Sequence, residues 1–284
     1  MRPRAIKIIR LTPAIGVEFS GVDLRREIPD DLSEVIYDTL VKHQVIFFRD
    51  QNITPLEQLK FARLFGEPDR SHPVYPEVDG NDEIVELRNN LDNPPDTDSW
   101  HTDLTFRQEP PFASILYAKA IPEYGGDTLW VSLIRAYETL SDSIKTELTD
   151  MRAIHEMGSF RNNFSAGEVD GTKVTAGHQT IGTAIHPVVK KHPVSGKKTL
   201  YVNEGFTQHI IGMRTQDSNR LLQYLYRHID RPEHQVRFNW TSQAVAMWDN
   251  RSTSHYAVSD YFPHERIMHR ITLTTDKRLA GRTI

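Results

Sequence analysis

The stretch Arg266-Ile-Met-His-Arg-Ile-Thr-Leu-Thr274 alternates in character from one residue to the next. In an extended strand successive side chains point to opposite faces. Arg266 and Arg270 would then share one face, and Ile267 and Ile271 the other. Two arginines that point into a protein interior are costly unless anionic groups neutralise them. The stretch therefore predicts a buried strand whose arginine face binds anions.

The same strand character recurs along the chain. Short β-branched or alternating segments predict further strands at Val45–Phe48, Ile84–Leu87, Ala113–Ala118, Thr128–Val131, Ile185–Val189, Thr199–Val202, Val236–Trp240 and Val245–Trp248. Many short strands separated by turn residues are typical of a sandwich or jelly roll. Because helices and strands do not alternate regularly, a doubly wound parallel sheet is disfavoured.

Helices are predicted mostly near the start of the chain. Asp31 is expected to cap a helix that carries Leu32 and Leu40 on one face. Thr54-Pro-Leu-Glu57 forms a capping box with proline at the first helical position, which predicts a helix ending near Gly66. Two further helices are expected at about 132–151 and 218–228. The fold class is therefore mainly β with flanking helices.

Composition excludes several classes of function. The chain has 284 residues, a net charge of −4 and interspersed charges, so neither nucleic acid nor an anionic membrane is an expected partner. Its apolar runs are far shorter than the roughly 20 residues that a membrane helix needs. The absence of cysteine excludes disulfides, thiolate metal sites and cysteine nucleophiles, and it fits a cytoplasmic protein.

Thirteen histidines remain as candidate metal ligands. In Trp100-His-Thr-Asp-Leu-Thr-Phe106, a strand would place His101 and Asp103 on the same face. A second histidine would complete a set of two histidines and one carboxylate, which leaves three positions open on an octahedral metal and is typical of non-haem iron(II) oxygenases. His255, which follows an apolar strand and a turn, is the best candidate. Taken alone, the His-x-Asp spacing is also compatible with a surface histidine beside an acid.

The chain resembles the taurine dioxygenase (TauD/TfdA) family of iron(II)- and 2-oxoglutarate-dependent oxygenases. The resemblance runs from Leu11 to about Thr274. Its strongest pieces are His72-Pro-Val-Tyr-Pro76, Asn93-Pro-Pro-Asp96, Trp100–Phe106, Gly125-Gly-Asp-Thr-Leu-Trp130, His192-Pro-Val-Ser-Gly196, Val202-Asn-Glu-Gly-Phe206, and Trp248-Asp-Asn-Arg251 through His255 to Arg270.

The resemblance implies a double-stranded β-helix, a cupin-like jelly roll, formed as one dioxygenase domain over residues 1–284. It implies that His101, Asp103 and His255 bind Fe(II), and that Arg266 and Thr128 bind the distal carboxylate of 2-oxoglutarate, with O₂ as the second co-substrate. No separate protein acid or base is implied. The residues that it implies around a small anionic substrate are His72, Tyr75, Asp96, Thr97, Leu104, Ser159, Phe160, Phe206 and Arg270.

The resemblance makes taurine the first expected substrate, hydroxylated at the carbon next to sulfur to release sulfite and an aldehyde, with succinate and CO₂ as co-products. Two departures keep alternatives open. Thr97 stands where taurine enzymes often have asparagine. The polar stretch 159–183, which is expected to be a lid or excursion, differs in length and in sequence from the corresponding stretch of taurine enzymes. The alternatives are an alkyl sulfate ester, another sulfonate or a phenoxyalkanoate. A non-enzymatic jelly roll that captures anions is a further alternative, and a homo-oligomer (dimer or tetramer) is expected.

Overall fold

The computed structural model of the protein describes residues 5–70, 75–78, 80–95, 99–157 and 183–280. The helices are α1 (Asp30–His43), α2 (Pro55–Ala62), α3 (Leu133–Glu138), α4 (Asp142–Leu148) and α5 (Thr215–Ile229), and a 3-10 turn covers Pro232–His234. The strands are β1 (Lys7–Arg10), β2 (Val17–Ser20), β3 (Val45–Phe48), β4 (Glu77–Val78), β5 (Asn81–Asn89), β6 (Ala113–Ala120), β7 (Thr128–Ser132), β8 (Arg152–His155), β9 (Ala184–Pro187), β10 (Val189–Lys191), β11 (Lys198–Leu200), β12 (Thr207–Ile210), β13 (Gln235–Phe238), β14 (Val245–Asp249), β15 (Thr253–Ala257) and β16 (Arg266–Leu273).

The sheets form a jelly roll with flanking helices, as the strand pattern predicts. Eight strands build the large sheet in the order β1-β2-β3-β14-β6-β16-β5-β4, in which β2 and β3 run parallel and the other neighbours run antiparallel. A three-stranded sheet, β13-β7-β15, supplies the opposing layer. A second three-stranded sheet, β12-β8-β9, and the β10-β11 pair complete the described strands.

Side-chain alternation on the central strands separates two cores. On β14, Val245 and Met247 join the cluster that packs against α1 and α2, whereas Ala246 and Trp248 pack with Trp130 of β7 between the two sheets. Because each face of the strand has its own apolar layer, all five positions of β14 are buried. The metal and anion sites described below lie at the inter-sheet side of this arrangement.

Strand β16 confirms the prediction made from its alternating sequence. Ile271 joins the helix-side core, and Met268 joins the core between the sheets. Arg266, two residues before Met268, is only 5% exposed, and the side chain of Arg270 is 11% exposed. The arginine face of the strand therefore points inward.

Two predictions about helices differ from the structure, and one predicted segment lies almost wholly outside the described residues. The capping box at Thr54 is confirmed, but α1 begins at Asp30 after Pro29, so Asp31 lies inside its first turn and accepts a hydrogen bond from the N–H of Leu32. The helix expected at 132–151 is divided into α3 and α4, and the Thr139 hydroxyl donates to carbonyls of the last turn of α3. The stretch 159–183, except for its last residue, lies outside the described residues.

Candidate active site

The three predicted metal ligands converge at one point. The Nε2 atoms of His101 and His255 each lie 3.8 Å from Oδ1 of Asp103, and the candidate ligand atoms all lie within 4.8 Å of one another. Metal–ligand bonds of about 2 Å allow a single ion to bridge atoms at this spacing. Within the described part of the chain this is the one group of three or more such side chains that could hold a metal.

The local structure that brings them together differs from the predicted strand. His101 forms an isolated bridge with His255, in which each residue donates its N–H to the carbonyl of the other at 3.0 and 2.8 Å. Turns follow immediately, and Leu104 has a φ of +54°. The predicted strand over Trp100–Phe106 is therefore wrong, although its conclusion that His101 and Asp103 lie side by side is confirmed.

An asparagine side chain replaces the missing strand partner of Asp103. Asn250, fully buried in the turn after β14, accepts the Asp103 N–H at 2.9 Å and donates to the Asp103 carbonyl at 2.9 Å. It also donates to the carbonyl of Pro111. Since both backbone groups of Asp103 are held by one rigid side chain, the ligand loop is fixed to the turn that leads to His255.

Neighbouring groups orient the ligands themselves. Nδ1 of His101 lies 2.8 Å from the Ser99 carbonyl, which directs Nε2 toward Asp103. The hydroxyl of Ser114 on β6 donates to Oδ2 of Asp103 at 2.7 Å. A Cβ on Gly205 would lie 3.1 Å from Cβ of His101, so the small residue lets its loop approach the ligand closely.

Burial and charge favour the protonation states that a metal requires. Burial, with a contribution from His101, lowers the pKa of His255 to about 3, and burial also lowers the pKa of His101. Burial alone would raise the pKa of Asp103, but His255, Arg270 and His101 outweigh it and hold the pKa at about 2. Two neutral imidazoles and one carboxylate anion are the deprotonated ligands that a divalent cation binds.

Arg266 provides a buried positive charge without a carboxylate partner among the described residues. Its guanidinium lies 3.5 Å from the Thr128 hydroxyl oxygen, which also accepts the indole N–H of Trp240 at 2.9 Å. Tyr261 lies over the guanidinium at 5.8 Å. Burial lowers the pKa of Arg266, yet an arginine remains cationic at neutral pH. The predicted pair Arg266 and Thr128 is therefore brought together, and it can bind a carboxylate.

Gly126 lies against Arg266 and Tyr261. Gly126 has a φ of +70°, a conformation that side chains rarely adopt. A Cβ there would lie 3.2 Å from both Cδ of Arg266 and the ring of Tyr261. The glycine pair that the sequence indicated only as a turn therefore also makes room for the arginine.

Arg270 lies on the metal side of β16. One of its guanidinium nitrogens is 3.7 Å from Oδ1 of Asp103, and its guanidinium lies 5.6 Å from the ring centre of Tyr75. The two arginines predicted to share a face thus have different neighbours, since Arg266 contacts Thr128 and Arg270 contacts a metal ligand. The two guanidinium groups, one beside Thr128 and one beside a candidate metal ligand, can each bind an anion.

An apolar cluster borders the same point. Leu104, Phe106, Met157 and Phe206 form a small buried core of their own. The ring of Phe206 meets that of Phe106 edge-on at 5.0 Å and that of His101 at 6.1 Å. Leu104 and Phe206 were predicted as substrate contacts, whereas Phe106 and Met157 were not. Phe106 belongs to the Trp100–Phe106 motif, so its place in that motif could have indicated that it lies at the site.

The other predicted substrate residues, His72, Asp96, Thr97, Ser159 and Phe160, lie outside the described residues. Sequence reasoning did not assign Ser114 or Asn250 to the site. Asn250 stands in the quoted Trp248-Asp-Asn-Arg251 motif, but its partner Asp103 is 147 positions away, and nothing local indicates the contact. Ser114 lies in a predicted strand with no distinguishing neighbour.

A family profile described as "Taurine catabolism dioxygenase TauD, TfdA family" matches residues 7–272. The chain belongs to the TauD/TfdA dioxygenase family. Among its curated relatives is an alkylsulfatase of Acinetobacter baylyi, 39% identical over 94% of this chain and 84% of the relative. Another is an alpha-ketoglutarate-dependent sulfate ester dioxygenase of Pseudomonas putida, 36% identical over 91% and 86%.

Solved structures place this TauD/TfdA dioxygenase in the same fold. A taurine dioxygenase from Burkholderia xenovorans is 36% identical, with a TM-score of 0.82 over 95% of this chain and 90% of that one. The structure of AAD-2 in complex with Mn(II) and N-oxalylglycine is 27% identical, with a TM-score of 0.77 over 95% and 97%. The jelly-roll fold predicted from the sequence is confirmed.

The donor set suits the cofactors of this family. Two imidazoles with one carboxylate match non-haem iron(II), and the buried Arg266 matches the far carboxylate of a dicarboxylic keto acid. The protein is an Fe(II)- and 2-oxoglutarate-dependent dioxygenase that uses O₂, and this favours an enzyme over the anion-capturing alternative. Among the helices that the structure describes, none has the length and apolar composition to cross a bilayer.

Proposed function

We propose that the protein oxidises an alkyl sulfate ester at the carbon that carries the sulfate oxygen, yielding an aldehyde and inorganic sulfate. The observation that carries this choice is the apolar cluster of Leu104, Phe106, Met157 and Phe206 beside His101. Rings, a thioether and a leucine side chain suit an alkyl chain, and they offer no acceptor for the ammonium group of taurine. Relatives named for alkyl sulfate and sulfate ester chemistry support the same choice.

In this proposal His101, Asp103 and His255 hold Fe(II), and Arg266 with Thr128 holds the distal carboxylate of 2-oxoglutarate. The Thr128 oxygen already accepts from Trp240, so its proton is directed to the ligand. When bound, iron with 2-oxoglutarate and O₂ supplies the oxidation of a C–H bond, and the keto acid leaves as succinate and CO₂.

Arg270 would orient the substrate. Its guanidinium binds the sulfate oxygens through charge-assisted hydrogen bonds, while the apolar cluster holds the chain. With both ends held, the first carbon of the chain faces the metal, which is a positioning effect. Hydroxylation of that carbon gives a sulfated hemiacetal; its C–O bond to sulfate breaks, the hydroxyl loses its proton, and an aldehyde and hydrogen sulfate separate.

The test is a substrate panel scored by succinate, sulfate and sulfite. Each methylene that enters an apolar site contributes about 0.8 kcal/mol, so kcat/KM should rise about fourfold per carbon from butyl to octyl sulfate. The variant Phe206→Ala should flatten this dependence, and Tyr224→Ala, which removes an exposed ring on α5, serves as the matched control. Sulfite release from taurine with a kcat/KM above that of every alkyl sulfate would refute the proposal.

Taurine is kept as the second candidate because one solved relative, 36% identical, is a taurine dioxygenase. We also propose that residues 1–284 act as one dioxygenase domain, which the match over residues 7–272 supports. The homo-oligomer and the cytoplasmic location stay predictions.

A further inference from the structure

We propose that Ser114 is a positioning residue that makes Asp103 bind iron through a single carboxylate oxygen. The proposal rests on the assignment of Asp103 as an iron ligand and adds the residue that fixes the orientation of its carboxylate. Its basis is that the two oxygens of one buried carboxylate have different neighbours. Oδ1 lies 3.8 Å from both histidine Nε2 atoms, and Oδ2 accepts the Ser114 hydroxyl at 2.7 Å.

The surrounding structure leaves the carboxylate few other ways to move. Asn250 holds the N–H and the carbonyl of Asp103, so the backbone is fixed. Ser114 is fully buried on β6, which pairs with β14 on one side and β16 on the other. The remaining freedom is rotation about the two side-chain bonds of Asp103, and the Ser114 hydroxyl restrains that rotation by holding Oδ2.

The number of open metal positions depends on this rotation. With one oxygen bound, the triad fills three of about six positions, which leaves two for 2-oxoglutarate and one free. Without the hydroxyl, Oδ2 would be a buried acceptor with no hydrogen-bond donor among the described residues, which is costly. The nearest relief is to bind the metal as well. A two-oxygen aspartate fills a fourth position, and after 2-oxoglutarate binds none remains open.

Mn(II) provides a probe that does not depend on turnover. Solvent-proton relaxation by bound Mn(II) scales with the number of exchangeable waters on the ion. In the wild type we expect about three waters, falling to about one with 2-oxoglutarate. In Ser114→Ala we expect about two, so that inner-sphere relaxivity is about two-thirds of wild type, and close to zero after 2-oxoglutarate is added.

Two variants control the measurement. Ser114→Thr keeps a hydroxyl at the same position and should retain the wild-type water number. Ser254→Ala removes another buried hydroxyl, next to His255, for which the described residues offer no hydrogen-bond partner, and it should change nothing. If Ser114→Ala does not fold, Ser114→Cys, which has similar volume and a weaker donor, replaces it.

The outcomes separate this inference from the proposed function. A folded Ser114→Ala with the wild-type water number, in the presence and absence of 2-oxoglutarate, would overturn the role of Ser114. An equal loss of water in Ser254→Ala would overturn it too. Failure of wild-type protein to bind Mn(II), or Mn(II) affinity unchanged in Asp103→Asn, would instead refute the ligand assignment.

Discussion

Replacing Arg266 by methionine tests whether its buried charge binds 2-oxoglutarate. Arg266 is 5% exposed, and its guanidinium contacts the Thr128 hydroxyl at 3.5 Å and has no carboxylate partner among the described residues. A two-pronged contact to a carboxylate comprises charge-assisted hydrogen bonds of about 1.5–3 kcal/mol each. Loss of both should cost about 3 kcal/mol or more and raise the Kd for 2-oxoglutarate about 150-fold or more.

The assay is thermal unfolding with Mn(II), with and without 2-oxoglutarate and without O₂. At 100 times its Kd the co-substrate should stabilise wild type by about 2.7 kcal/mol, or roughly 5–10 °C in Tm. The same concentration should raise the Tm of Arg266→Met by about 1 °C. Without 2-oxoglutarate, the variant should be as stable as wild type or more so, because an unpaired buried cation is replaced by an apolar side chain of similar size.

The last expectation distinguishes a binding role from a structural one. If Arg266 mainly held the fold together, Arg266→Met would lower Tm with no ligand present. Arg88→Met is the control for the substitution itself. It removes an exposed arginine of β5, the strand next to β16, that pairs with Glu86 and Glu265. A wild-type Kd for 2-oxoglutarate in Arg266→Met would refute the reasoning.

Three further changes test the metal ligand Asp103, the second arginine Arg270 and the buried histidine His155. Asp103→Asn keeps the size of the ligand but removes its charge; we expect no succinate formation and a far-UV circular dichroism spectrum like that of wild type, and continued O₂-coupled decarboxylation would contradict the ligand assignment. Arg270→Ala should raise KM for an alkyl sulfate about 10- to 150-fold through lost charge-assisted hydrogen bonds and leave KM for 2-oxoglutarate nearly unchanged, as steady-state kinetics would show, whereas the inverse result would exchange the roles of the arginines. Burial, with smaller effects of His186 and Lys190, lowers the pKa of His155 to about 3. Below about pH 6.5 His155 therefore becomes protonated in the unfolded chain, whereas in the folded chain it stays neutral down to about pH 3. Stability should therefore fall from pH 6.5 toward 3, and His155→Gln should reduce that loss by up to about 1.4 kcal/mol per pH unit in urea titrations; an unchanged slope would show that this histidine is not the cause.

The alternating strand at 266–273 shows how far sequence could determine the site. A period of two fixes which side chains share a face, so the inward direction of Arg266 and Arg270 followed from the pattern and is confirmed. The same logic at Trp100–Phe106 gave the right neighbours for the wrong reason. There the chain turns, and a contact to Asn250 takes the place of a strand partner.

Contacts between distant parts of the chain were beyond sequence reasoning. The hydrogen bond from Ser114 to Asp103 depends on how β6 approaches the ligand loop, and no periodicity encodes that distance. The prediction of where α1 begins was wrong for a related reason. Asp31 is the better N-cap by local preference, yet α1 begins at Asp30 after Pro29, a shift of the helix start that local preference does not encode.

The bridge between His101 and His255 has a consequence for the order of events during synthesis. A ribosome releases His101 and Asp103 well before β15 exists, and those two side chains alone make a weak chelate. Asn250 lies in the connection from β14 to β15 and His255 lies on β15, so the residue that fixes the loop and the third donor are supplied in the same step. Capture of the metal should therefore follow assembly of the jelly roll, because the third donor is not in place before β15 pairs with β7.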